Sequence, residues 1–100
     1  MQVIVDLCVV PIGVGVSLSS YIAACEDVLH QYDLNIALHP NGTAIEGEWD
    51  TVMAAVKACH EKVHAMGAPR IHTSMKIGTR TDRSQSLDDK VESVRDKMQD

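Results

Sequence analysis

One hundred residues carry 14 acidic against 9 basic side chains, a formal charge of −5 with histidine neutral. That balance argues against a nucleic-acid backbone as partner, because such binders cluster basic residues; a cationic or neutral small molecule fits better. The length implies one domain with a single core, and no apolar run approaches the roughly 18 to 20 residues of a membrane-spanning helix.

With no Phe and few aromatics, Val, Ile, Leu, Ala and Met must fill the interior. Cys8, Cys25 and Cys59 are odd in number, form no C-x-x-C pair and sit in apolar patterns. They read as buried thiols of a reducing compartment. Met1 leads into a strand with no basic or apolar leader, which predicts a cytoplasmic protein.

Gln2 to Val10 is almost wholly apolar, with Asp6 its only charge, the pattern of a central strand covered on both faces, and Pro11 removes a ladder donor and ends it. Ile12 to Ser17, with Gly13 and Gly15, is a loop; Ser17 or Ser19 caps the helix that follows. Leu18, Ile22, Cys25, Leu29 and Tyr32 form its apolar stripe, ending near Asp33. Leu34, Ile36 and Leu38 then alternate as a second strand, and Asn41-Gly42 predicts a tight I′ hairpin into a third strand that Gly47 punctuates.

Asp50 opens a second helix with the stripe Val52, Val56, Cys59, Val63 and Met66, stopped by Gly67 before Pro69. Each member of this stripe lies thirty-four positions after a member of the first, so Cys25 corresponds to Cys59. Arg70 to Arg80 alternates as a fourth strand. Thr79 to Gln85 is polar linker, and Ser86 with Asp89 marks a capping box for a third helix bearing Leu87, Val91, Val94 and Met98.

The order β-α-β-β-α-β with right-handed crossovers gives a ferredoxin-like α+β sandwich: a four-stranded antiparallel sheet with both helices on one face. Residues 1–80 form that domain, 81–85 the linker and 86–99 an added C-terminal helix belonging to the domain or to an oligomer interface. Alternation puts Val3, Val5, Leu7, Leu38, Ile45 and Ile77 under the helices. Ile4, Asp6, Cys8, His39, Glu46 and Lys76 go to the opposite face. Left bare, that face is a patch large enough to mark association or ligand binding; it is expected to pack against a second protomer, with coverage by the third helix as the alternative.

His60-Glu61-Lys62-Val63-His64 satisfies H-E-x-x-H, in which two histidines bind zinc and the glutamate activates water. Val63 belongs to the core stripe, and no third ligand is evident, so these are expected to be surface helix residues with no metal; a zinc hydrolase is kept as the rival function. Gly13-Val14-Gly15 hints at a phosphate loop but lacks the rest of any nucleotide fingerprint, and reads as a pliable connection. Cys8 and His39 or His72 could share a face, yet no spacing ties a nucleophile to a base. Asp6 and Glu46 sit on an apolar sheet face and need partners, either Lys76 across the sheet or a ligand amine.

The end of strand one at Val9-Val10-Pro11, the Ser-rich helix start, Asn41-Gly42-Thr43-Ala44-Ile45-Glu46-Gly47, His60-Glu61 and Arg70-Ile71 leading to Lys76-Ile77 together carry a resemblance over nearly the whole chain. The sequence resembles the small thiamine-binding protein family, the single-domain relatives of YkoF. The resemblance implies a ferredoxin-like fold, homodimers or homotetramers, and non-catalytic binding of thiamine or its hydroxymethylpyrimidine portion, with no cofactor. It implies that Val9, Pro11 and Thr43 line the ligand pocket, with Glu46 in the same motif. From the residues themselves, Asp6 or Glu46 could accept hydrogen bonds from an exocyclic amine, and the Ser17, Ser20 and Thr43 hydroxyls could anchor the ligand at one end of the sheet. A ligand-free structural or regulatory protein is the third reading.

Overall fold

The computed structural model describes residues 1–99. Its elements are β1 (Gln2–Ile12), α1 (Ser19–Leu29), β2 (Asn35–His39), β3 (Gly42–Glu48), α2 (Trp49–Ala65), β4 (Arg70–Gly78) and α3 (Leu87–Arg95). The strands form one antiparallel sheet in the order β2-β3-β1-β4, the ferredoxin-like arrangement that the element order predicts.

The core lies between the sheet and the α1/α2 layer. Val3, Val5, Leu7 and Ile45 reach it from the strands, and Leu29, Val52, Ala55 and Val63 reach it from the helices. The two residues related by the thirty-four-position register meet there: the Cys59 thiol lies 3.7 Å from the Cys25 carbonyl oxygen. Strand alternation thus assigns the buried face of the central strands correctly. On the edge strands it assigns direction but not coverage, because Leu38 and Ile77 remain 63% and 42% exposed; two helices span the middle of the sheet and leave its margins open.

Several local expectations need correction. β1 continues through Pro11 to Ile12, paired only with β4 beyond Leu7, and a residue without an N–H is tolerated where one side has no partner strand. Only one face of β1 is covered within the chain: Asp6 is exposed, and Ile4 and Cys8 are half-buried. α1 stops at Leu29, four residues before Asp33, although Tyr32 still packs on the core.

The capping residues also differ. Leu18 occupies the position before α1 and no side chain caps it, so neither Ser17 nor Ser19 does so. Glu48 rather than Asp50 precedes α2, and the Trp49 amide donates instead to the Met1 carbonyl at 2.9 Å. The hairpin turns at Pro40-Asn41, with His39 opposite Gly42. Pro40 holds φ near −65° and Asn41 has no positive φ, which excludes the I′ turn.

The C-terminal stop of α2 follows the sequence closely. Gly67 has φ +107°, its amide donates to the His64 carbonyl and the Ala68 amide to that of Val63. This is a Schellman closure, completed by apolar Ala68 tucked into the core beside Val63.

α3 stands apart. It carries the expected capping box at Ser86 and Asp89 but buries no side chain. The shortest extent of the molecule is 19 Å, enough for one sheet and one helix layer at about 10 Å each. Its radius of gyration, 14.9 Å, exceeds the about 13 Å of a compact chain of this length. Within one chain α3 therefore leaves the second sheet face open.

Candidate functional site

β1 outruns its partner. Its pairing with β3 ends at Leu7 opposite Thr43, while its pairing with β4 runs on to Ile12. Past Leu7 the β3 side of β1 thus presents backbone groups without a strand partner. α1 approaches the same place from above, carried there by a loop whose Gly13 and Gly15 have φ +86° and +94°. The result is a cleft of about 600 Å³ between one face of α1, the free edge of β1 and the tip of the β2–β3 hairpin.

Its wall is largely apolar, with Val9, Leu18, Ile22 and Leu38 among its residues. The polar groups are few and placed together. Thr43 is the one buried polar residue among the described residues, 6% exposed, and its hydroxyl donates to Glu26 Oε2 at 3.2 Å. A carboxylate against a buried hydroxyl, beside unpaired strand backbone and an apolar wall, can hold a flat heterocycle and accept hydrogen bonds from its amine.

Of the residues expected at a site, Val9 and Thr43 line this cleft. Pro11 is buried one residue pair from the end of the β1–β4 ladder, opposite Ile71, and Ser17 and Ser20 are exposed near the start of α1, outside the cleft lining. Asp6 and Glu46 lie on the opposite sheet face. Glu26, Leu18 and Ile22 were not anticipated, although they follow one another at four-residue spacing along α1. A carboxylate continuing an apolar row was the available signal.

The open face carries its own polar pairs. Lys76 stands directly opposite Asp6 in the β1–β4 register, yet Asp6 bonds His39 Nε2 at 2.7 Å instead. His39 Nδ1 accepts the Asn41 amide at 3.2 Å, so Nε2 carries the proton toward Asp6. Glu46 accepts from Asn35 Nδ2 at 2.7 Å. Neither carboxylate has the Lys76 partner considered for it. A broad concavity of about 1560 Å³ runs from these residues to the 79–86 segment. There Arg80 grips Asp82 through two hydrogen bonds of 2.5 and 2.8 Å, holding the Asp82 carboxyl at about 2.

The H-E-x-x-H residues are occupied locally. His60 Nε2 bonds Thr73 Oγ1 at 2.6 Å and His64 Nδ1 donates to the Ala68 carbonyl at 2.8 Å; Glu61 is exposed. The ring centroids are 6.4 Å apart, and among the described residues no group of three His, Cys, Asp or Glu side chains is placed to hold a metal ion. The Gly13 loop packs on Pro69, where an added Cβ would lie 3.2 Å from Cγ. Among the described residues no helix is long and apolar enough to cross a membrane.

The sequence profile described as "Thiamine-binding protein" matches residues 5–95. A UPF0045 protein of Synechocystis is 65% identical over 94 residues, covering 94% of this chain and 78% of that protein. One from Eremothecium gossypii is 42% identical, covering 100% and 96%. Among solved structures, a hypothetical protein from Methanocaldococcus jannaschii superposes with TM-score 0.88 at 29% identity, over 94% of this chain and 96% of the other. On the profile match and these relatives, the chain belongs to the thiamine-binding protein family.

Proposed function

We propose that the protein binds thiamine, or its hydroxymethylpyrimidine portion, in the cleft between α1 and the end of β1, without performing chemistry on it. The observation that carries the reading is the Thr43–Glu26 pair, a carboxylate held by a buried hydroxyl in an apolar cleft of about 600 Å³, within the range of small-molecule sites. Glu26 accepts the exocyclic amine of the aminopyrimidine, Val9, Leu18 and Ile22 enclose the ring, and the free edge of β1 supplies backbone partners. The family supports the ligand class. Non-catalytic binding is supported by the engagement of the cleft's carboxylate: Glu26 is bonded to Thr43.

Isothermal titration with thiamine, hydroxymethylpyrimidine and thiamine phosphate tests this directly. Heat with at least one of them is expected. A hydrogen bond to a charged group is worth about 1.5–3 kcal/mol, so Glu26→Gln should weaken binding by roughly 10- to 150-fold. Glu46→Ala, on the other face, should leave it unchanged. No binding to any of the three at millimolar ligand overturns the proposal, and a loss confined to Glu46→Ala moves the site to the open face.

A further inference from the structure

Cys25 and Cys59 occupy equivalent positions of the two halves and meet between α1 and α2. Their environments differ in one respect: Cys25 is 6% exposed and lines the cleft, whereas Cys59 is fully buried. The Cys59 thiol lies 3.7 Å from the Cys25 carbonyl oxygen, against the backbone of the very residue whose sulfur it would join. Cys8, the third cysteine, is on the open sheet face, and all three are free thiols.

We propose that Cys25 and Cys59 are an oxidisable pair in which peroxide, entering through the cleft, reacts at Cys25 and Cys59 resolves the product into an intramolecular disulfide. In the first step the Cys25 sulfur attacks one peroxide oxygen, the O–O bond breaks, and Cys25 sulfenic acid and water form. In the second the Cys59 sulfur attacks the Cys25 sulfur, the S–O bond breaks, and the departing hydroxide takes the Cys59 proton as water. One peroxide accepts two electrons and two thiols lose two hydrogens. This modification requires no ligand, only an open cleft, and is read on the ligand-free protein.

The electrostatics assign the same order. The neighbouring Cys59 side chain draws the Cys25 thiol below its ordinary range despite burial and the nearby Glu26. The Cys25 side chain and burial push the Cys59 thiol upward. The sulfur that lines the cleft is the one peroxide reaches first, and the fully buried one is the resolving partner.

The full chain carrying Cys8→Ser, treated with hydrogen peroxide at neutral pH and then digested, should yield a Cys25–Cys59 linked peptide. Two thiols should disappear in denaturant and return with dithiothreitol. In the same background Cys59→Ser should let Cys25 sulfenic acid accumulate and be trapped by dimedone, while Cys25→Ser should leave Cys59 unmodified under the same exposure. Both thiols remaining free in the Cys8→Ser protein, or Cys25 passing to sulfinic acid without a linked peptide, overturns the proposal. The linked-peptide measurement on that protein stands whether or not the two further variants fold.

Discussion

A Cβ added at position 42 would come within 2.5 Å of the Leu7 carbonyl oxygen, so the residue that completes the hairpin also lets β3 close onto β1 at the edge of the cleft. Backbone cannot yield as a side-chain tip can, and Gly42→Ala should destabilise by about 1–3 kcal/mol, the usual cost of overpacking, read as a lower urea midpoint at unchanged slope. Gly15→Ala isolates backbone strain from crowding. Its Cβ meets nothing within 4 Å, but its φ of +94° carries a backbone penalty of roughly 1–2 kcal/mol. At this scale the sequence shows that Asn41-Gly42 belongs to a turn. It does not show which two residues form the tip, because Pro40 competes for the first central position and wins by its fixed φ. The same limit hides Glu26: its partner Thr43 is 17 positions away, and only the packing of α1 over the hairpin reveals that the two side chains meet.

Elements were the most legible level. Apolar spacing identifies both core helices, and the thirty-four-position correspondence of their stripes anticipates the Cys25–Cys59 contact. Alternation also places Val9 and Thr43 on the helix-covered face, where the cleft lies. What periodicity omits is where each pairing ends, and the cleft exists because β3 leaves β1 at Leu7 while β1 runs on to Ile12 beneath α1.

Caps were readable where a side chain makes them. Ser86 and Asp89 exchange two 3.0 Å hydrogen bonds at the start of α3, whereas the starts of α1 and α2 have no side-chain cap. Ser86→Ala should therefore remove roughly 1 kcal/mol of α3 stability, seen as faster amide exchange in residues 87–95 with the core unchanged. The Ser86 amide and hydroxyl hold the Asp89 carboxyl below the ordinary aspartate range. Since the folded value is the lower one, this contribution is complete above the unfolded value of about 3.9 and is lost as pH falls through the folded value. α3 should fray on acidification below about pH 4, before any change in the core amides.

At the scale of the whole molecule, the open face and α3 belong to one argument. α3 buries nothing, while Val91, Val94 and Met98 are 47%, 61% and 66% exposed, and the sheet face carries half-buried Ile4, Cys8 and Val10 along its central strand. An uncovered sheet face and an uncovered helical stripe together exceed what a chain this small usually leaves to water. We therefore expect self-association through the open face, detectable as a concentration-dependent sedimentation coefficient; a strict monomer at micromolar concentration would refute it. Ile4→Lys places a charge in the centre of that face without touching the Val3, Val5 and Leu7 core, and should yield a folded monomer. Deleting residues 84–100 should likewise leave the thermal midpoint of the 1–80 core nearly unchanged, because the described residues of that segment contribute no buried side chain to it. If α3 completes the association, this deletion also lowers the oligomer order, and the sedimentation of the truncated protein then separates the contribution of the helix from that of the sheet.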